Sequence, residues 1–107
     1  MKESFVFIFR KGVRKLSEDE QKRRTEEVRA WALQQIADHR GLEPRVLDDE
    51  SVRVGDNPAN GINDGLVIAL NFIEAKDFNE AVAIAKTHPG LRYGVSIEVR
   101  PWSDPRR

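Results

Sequence analysis

Two histidines, His39 and His88, are the residues of this chain best suited to proton transfer near neutral pH. His88 stands directly before Pro89-Gly90, a pair that ends helices, so we expect it at the C-terminal end of a helix. There it could serve as a general acid or base. The alternative, which we favour on the residues alone, is a structural histidine attracted by the negative end of the helix dipole. The same dipole argument accounts for His39.

Residues that could hold a metal ion or an organic cofactor are scarce in the sequence. The chain contains no cysteine. Its histidines show neither His-x-x-x-His spacing nor a His-Glu arrangement, and one distant pair is weak support for a metal site. No glycine-rich phosphate-binding loop is present. We therefore predict no metal site and no cofactor.

Polar side chains on predicted strands form a second group of candidates. Glu98 and Arg100 lie two residues apart and share a strand face, where they could clamp a carboxylate or simply form a surface ion pair. Asn71 interrupts an otherwise apolar strand. A buried amide needs hydrogen-bond partners, so Asn71 marks either a polar pocket or a contact with a second subunit. Arg10, at the end of the first strand, could reach the mouth of a pocket.

The two tryptophans and a basic segment each have two interpretations. Trp31 could line a pocket, although an aromatic residue beside a helical stripe is more often part of the core. Trp102 follows the last strand and should pack on a partner subunit or the sheet edge. The basic residues could bind an anion, but the acidic turn that follows them already occupies the helix N-terminus, so solvated charges are favoured. These basic residues are Arg10, Lys11, Arg14 and Lys15.

A strand and a long helix position the N-terminal candidates. The strand from Ser4 to Arg10 has phenylalanine on one face and Val6 and Ile8 on the other, so we expect both faces to be covered. The helix begins after the N-cap Ser17, supported by a capping box with Glu20. The inward stripe is predicted as Val28, Ala32 and Ile36, flanked by Trp31 and Leu33, with Gly41 as the stop.

The C-terminal half supplies three further strands and a helix. A weak second strand between Val46 and Val54, broken by acidic residues, is predicted at a sheet edge. A loop follows it, and the third strand runs from Leu66 to Ile73. The remaining predicted elements are a helix from the N-cap Asp77, with Glu80 as capping partner, to Pro89-Gly90, and a strand from Tyr93 to Arg100 with Val95, Ile97 and Val99 on one face.

This order of elements, βαββαβ, predicts an α+β, ferredoxin-like domain over residues 1–102 and a short tail at 103–107. Right-handed crossovers would place both helices on one face of the sheet. The opposite face would stay uncovered, although the first and third strands are apolar on both sides. Because such a bare patch is unusual on a monomer, we predict a homodimer through the open sheet faces, forming a dimeric α/β barrel.

Composition limits the classes of partner and compartment. The chain has 107 residues, enough for one domain, with 18 Lys+Arg balanced by 18 Asp+Glu. This balance gives no general attraction to nucleic acid or anionic lipid. No apolar run approaches the roughly 18–20 residues of a membrane span. With no cysteine and no signal-peptide pattern, we expect a cytoplasmic protein without nucleic-acid or membrane partners.

Short stretches along the chain carry a family resemblance. In the C-terminal half they are Asn71 to Ala75, Asp77 to Val82, Ala85 to Gly90 and Ser96 to Pro101. The most specific is Glu98-Val99-Arg100-Pro101 at the end of the βαββαβ pattern. In the N-terminal half, Leu16 to Glu20 looks like a family helix start, and Ala30-Trp31-Ala32 looks like a mid-helix aromatic position. Together these stretches resemble the YCII-related (DGPF-type) family.

The resemblance implies a dimeric α+β barrel with a pocket between the helices, the sheet and the partner. Related members suggest a His/Asp pair in that pocket, similar to muconolactone-type lactone enzymes. Asp64 is the residue that this comparison pairs with His88. The sequence departs from the family at its eponymous Asp-Gly-Pro-Phe motif, since Asp64-Gly65 is followed by Leu66-Val67.

Two functional hypotheses follow. The first, favoured because the family motif is absent, is non-catalytic binding of a small organic ligand in a pocket between helices and sheet. The second is a cofactor-independent enzyme acting on a small organic acid or lactone, with His88 moving the proton and Asp64 orienting it. Trp31 and Asn71 would line the pocket in both cases. Further ligand-binding candidates are Arg10, Glu98 and Arg100.

Overall fold

A computed structural model describes residues 2–55 and 65–106 of the chain. Its strands are β1 (Glu3–Arg10), β2 (Glu43–Val46), β3 (Val67–Ala75) and β4 (Ser96–Pro101). The helices are α1 (Glu18–Ala37) and α2 (Phe78–Lys86), and a 3₁₀ segment, Pro89–Tyr93, follows α2. Within the described ranges, no helix is long and apolar enough to cross a membrane.

The four strands form one antiparallel sheet in the order β2-β3-β1-β4. The two central strands, β1 and β3, are joined through the first helix and β2, and each central strand also pairs with an edge strand. This is the strand order of a ferredoxin-like α+β domain, and the predicted fold class is confirmed. The register places Phe7 opposite both Asn71 and Val99, so these three side chains share one sheet face.

The core lies between that face and helix α2. Phe5, Phe7 and Phe9 are buried there, and they share one face of β1, as the alternation predicts. Helix α2 packs closely on the central strands because small residues, Ala81 and Ala85, point at the sheet. Helix α1 approaches the 3₁₀ segment more closely than it approaches the sheet. This difference in distance leaves room between α1 and the sheet.

The start of each helix is set by local hydrogen bonds. Ser17 caps α1, and the capping box with Glu20 is complete, as predicted. Asp77 caps α2 through its side chain, which accepts a hydrogen bond from the Glu80 N–H at 2.8 Å. The reciprocal half of the second box differs from the prediction, since Glu80 accepts from the Lys76 N–H at 2.9 Å instead. The hydrogen bonds that cap α2 therefore extend one residue further towards the N-terminus, to Lys76.

The predicted inward stripe of α1 is wrong at its C-terminal end. Ile36 is 56% exposed and Leu33 is 61% exposed, whereas Trp31 and Gln35 are the buried residues of the helix. Each residue of a helix is rotated by about 100° from the one before it. The core lies in the direction between the Trp31 and Ala32 side chains, so Ile36 projects from the side of the helix and not towards the core. The helix also ends at Ala37, before Gly41.

Two strand predictions also change. The second strand lies earlier than expected, at Glu43–Val46, and residues 51–55 are exposed and outside the sheet. It is an edge strand, as predicted, and an edge tolerates Pro44, which has no N–H to donate. Strand β4 begins at Ser96 and not at Tyr93, because Pro89–Tyr93 forms the 3₁₀ segment.

No helix among residues 2–55 and 65–106 packs on the second face of the sheet. Its two central strands present Val6 opposite Phe72 and Ile8 opposite Leu70. These four side chains are half-buried. Trp102 packs edge-on against Phe72 at one end, with ring centroids 5.4 Å apart. We refer to these five side chains as the open face.

A cavity between helix α1 and the sheet

A cavity of about 430 Å³ occupies the space between α1 and the β2–β3–β1 part of the sheet. Volumes of this order suit a small organic ligand. Apolar side chains form most of its wall, among them Phe9, Val28 and Leu42. Ile68 also belongs to this wall, although strict alternation along β3 would turn its side chain to the other face of the sheet. The alternation is interrupted there because a β-bulge leaves Ile68 without a partner between the pairs Phe9–Ala69 and Arg10–Val67. Its polar lining residues include Asn71 and His88.

His88 lies just after α2 and caps the 3₁₀ segment. Its Nδ1 accepts a hydrogen bond from the Gly90 N–H at 2.9 Å, and the side chain is only 6% exposed. Because Nδ1 is an acceptor, the neutral ring carries its proton on Nε2. A second proton would have to enter at Nδ1, where it would face the Gly90 N–H. The hydrogen bond therefore favours the neutral imidazole.

Burial acts in the same direction on this histidine. Desolvation lowers the pKa of His88 from 6.5 to about 4. At neutral pH the side chain is then an uncharged hydrogen-bond donor through Nε2–H. The preferred structural interpretation from the sequence placed His88 at the helix end, which is correct, but the residue is buried and caps the following 3₁₀ turn.

Two aromatic rings hold the imidazole in place. The Phe9 ring lies 4.7 Å from it and the Trp31 ring 4.6 Å, both centroid to centroid, and Trp31 approaches edge-on. Trp31 is itself anchored, since its Nε1–H donates to Thr87 Oγ1 at 2.9 Å, and the Thr87 hydroxyl donates to the Ile84 carbonyl at 2.6 Å. Trp31 is therefore both a core residue and part of the cavity wall.

Asn71 approaches the same space from the sheet. It lies at the centre of β3, opposite Phe7 and Pro44, and is 8% exposed. Its side-chain amide makes no hydrogen bond within the described parts of the chain. A buried amide in this position can still be satisfied by a guest in the cavity.

A third buried polar side chain, that of Gln35, differs from Asn71 and His88 in being more fully enclosed. Across residues 2–55 and 65–106, Gln35 Oε1 is the fully enclosed side-chain polar atom that lacks a hydrogen-bond partner. The Asn71 amide and His88 Nε2 also have no partner there, yet they are not fully enclosed, so they keep access to the cavity. Their unmet hydrogen-bonding capacity is available to a ligand.

Charged residues stand at the cavity rim. Arg24 lies on α1 two turns before Trp31, is half-buried, and forms no ion pair or hydrogen bond with the described residues. Asp49 lines the same rim but is exposed. Arg45 is different, because its register opposite Leu70 turns its side chain to the open face, where its guanidinium lies 3.6 Å from the Glu43 carboxylate. Arg24 is thus the partly desolvated charge without a counter-charge.

The structure brings together three of the predicted site residues, His88, Trp31 and Asn71. The other candidates with described coordinates lie on the opposite side of the sheet. There Arg10 forms an ion pair with Glu98 at 3.2 Å, and Arg100 lies 4.0 Å from the same carboxylate. Asp64 lies outside the described residues. A ligand role for Asp64, Arg10, Glu98 and Arg100 stays a prediction. The last three residues do not face this cavity, so any ligand that they bind would lie elsewhere.

Sequence reasoning does not find Gly90 and Arg24, which line the cavity, or Thr87, which anchors the Trp31 indole. The sequence predicts Gly90 only as part of a helix stop, although the His-Pro-Gly spacing puts its N–H within reach of the imidazole two residues earlier. Thr87, at the C-cap of α2, had no distinguishing signal. Arg24 could have been found by extending the Trp31–Val28 face of α1 one further turn towards the N-terminus.

Comparison with models of protein families gives no match for this chain, and no curated protein matches it either.

Proposed function

We propose that this protein binds a small organic ligand, without transforming it, in the cavity between α1 and the sheet. One observation carries the proposal. Two polar side chains that are more than nine-tenths buried, His88 and Asn71, open onto one mostly apolar cavity, and His88 Nε2 and the Asn71 amide have no hydrogen-bond partner among the described residues. An apolar wall with a few convergent polar groups is the usual composition of a ligand site.

The protonation state of His88 favours binding over the alternative of acid–base catalysis. A general acid or base works best when its pKa lies near the operating pH. Burial lowers the pKa of His88 to about 4, and Nδ1 is engaged with the Gly90 N–H. The neutral ring can donate one hydrogen bond from Nε2 and orient a guest, which is the chemistry of a binding site.

We further propose that the chain forms a homodimer through its open face, as a divergent relative of the YCII-related family. The apolar pairs Val6–Phe72 and Ile8–Leu70 form a continuous strip on the central strands, and charged residues of β2 and β4 flank it.

The two tryptophans provide a matched pair of reporters for ligand binding. Trp31 lines the cavity and Trp102 lies on the opposite side of the sheet. Phenol, benzoate, benzamide and indole can each be titrated while the two indole N–H signals are followed by NMR. We expect at least one compound to shift the Trp31 signal in a saturable way while the Trp102 signal stays in place.

A cavity-filling variant makes this experiment specific. In Ala32→Phe a ring should occupy the cavity and abolish the Trp31 response, whereas Ala37→Phe, on the exposed end of the same helix, should leave it intact. The proposal fails if none of the four compounds shifts Trp31, or if both tryptophans respond equally in wild type and Ala32→Phe.

A further inference from the structure

The cavity has two polar ends of different character. Its most buried polar lining residues, His88 and Asn71, which we call the inner end, offer uncharged hydrogen-bonding groups. At the rim, Arg24 offers a guanidinium with no partner in the described parts of the chain. Trp31 is the seventh residue after Arg24 on α1, a rise of about 10 Å, and the Trp31 ring contacts His88. The apolar wall lies between these two ends.

Each end has a different requirement of a ligand. Arg24 is partly desolvated and lacks a counter-charge, and a guanidinium pairs best with a planar carboxylate that accepts two of its N–H groups. The inner end has no cation, because His88 is neutral there, so a carboxylate at that position would be buried without compensation. A hydroxyl or carbonyl oxygen can accept from His88 Nε2–H, and the Asn71 amide can both donate and accept.

From this polarity, and resting on the proposed binding function, we propose that the ligand is a ring-bearing carboxylic acid with an uncharged hydroxyl or carbonyl at its far end. The carboxylate faces Arg24, the ring lies against the apolar wall, and the uncharged group meets His88 and Asn71. Asp49 on the same rim is exposed and hydrated, so Arg24 remains the group that gains most from an incoming anion.

Three probes that differ in one group each test this assignment by calorimetry. The parent is 3-(4-hydroxyphenyl)propanoate, 3-phenylpropanoate lacks the hydroxyl, and 3-(4-hydroxyphenyl)propanamide lacks the charge. Loss of either group should weaken binding by about tenfold, which corresponds to one hydrogen bond or one partly buried ion pair. Binding of the acid should also weaken as salt concentration rises.

Two variants test which residue is responsible for each loss of binding affinity. Arg24→Gln should remove the preference for the acid over the amide while keeping the preference for the hydroxyl. Asn71→Leu should remove the preference for the hydroxyl while keeping the preference for the acid over the amide. Arg23→Gln, the exposed neighbour on α1, is the matched control and should change neither preference.

The outcomes separate this inference from the proposed function. If the amide binds as tightly as the acid, or if Arg24→Gln retains the acid preference, the inference is overturned and cavity binding stands. If none of the three probes binds while phenol or indole still shifts Trp31, the ligand class is wrong. If neither these probes nor the four simple compounds bind, both proposals fall.

Discussion

At the residue scale, burial makes the charge state of His88 part of the stability of the protein. Its pKa is about 4 in the folded chain and near 6.5 when unfolded, so between these pH values the unfolded state binds more protons. The free energy of unfolding should therefore be unaffected by this group above pH 6.5 and should fall as pH drops towards 4. The loss should reach up to about 3 kcal/mol.

Urea unfolding between pH 7.5 and 4 checks this prediction. Carboxylates such as Glu27, whose pKa is lowered chiefly by the hydrogen bond from Arg92, contribute their own pH dependence, so the comparison with a His88→Gln variant isolates the imidazole. The variant should lose the extra slope in this window. His39→Gln, which alters an exposed histidine, should retain it. Parallel profiles for wild type and His88→Gln would contradict the buried neutral state.

At the scale of elements, the junction between α2 and the 3₁₀ segment holds His88 in its orientation. A Cβ atom at Gly90 would lie 2.9 Å from His88 Nδ1, closer than Cβ atoms approach their neighbours, and 3.1 Å from Cε1. In Gly90→Ala the imidazole must turn away or the segment must shift, and the Gly90 N–H loses its acceptor. We expect a destabilisation of about 1–3 kcal/mol.

The ring signals of His88 in NMR distinguish this effect from a general loss of stability. Turning the ring frees Nδ1 and exposes it, so the pKa of His88 should rise towards its ordinary value in Gly90→Ala. Leu91→Ala, an exposed position in the same 3₁₀ segment, should leave the His88 signals and its titration unchanged. An unchanged titration in Gly90→Ala would show that the Gly90 contact does not orient the ring.

At the scale of the whole molecule, the open face predicts self-association. Light scattering coupled to size exclusion should give twice the chain mass for the wild type. Ile8→Glu places a charge in the centre of the apolar strip and should yield a monomer, because burying an unpaired carboxylate in the interface is costly. Val13→Glu changes a fully exposed residue outside the sheet and should remain dimeric.

Far-UV circular dichroism shows whether Ile8→Glu retains its fold, and Phe72→Lys offers a second disruption on the neighbouring strand. A monomeric wild type at micromolar concentration would contradict the proposed dimer. So would a dimer that survives both substitutions.

Much of the fold could be predicted from the sequence because its signals are local. Ser17 and Asp77 cap their helices through side chains that reach only three residues along the chain. Alternation in β1 depends on the strand period alone, and it correctly predicted that Phe5, Phe7 and Phe9 share one face of the sheet. Trp31, Asn71 and His88 stood out because each is a chemically distinct residue inside an otherwise regular pattern.

Features that depend on distances between elements required the tertiary structure. Ile36 and Gln35 are adjacent on α1, and only the direction from which the sheet approaches the helix decides that the glutamine is buried and the isoleucine exposed. The wider separation of α1 from the sheet opens the cavity, and it brings Arg24 to the same rim. No local pattern encodes such a separation, because it results from packing among side chains that are remote in sequence.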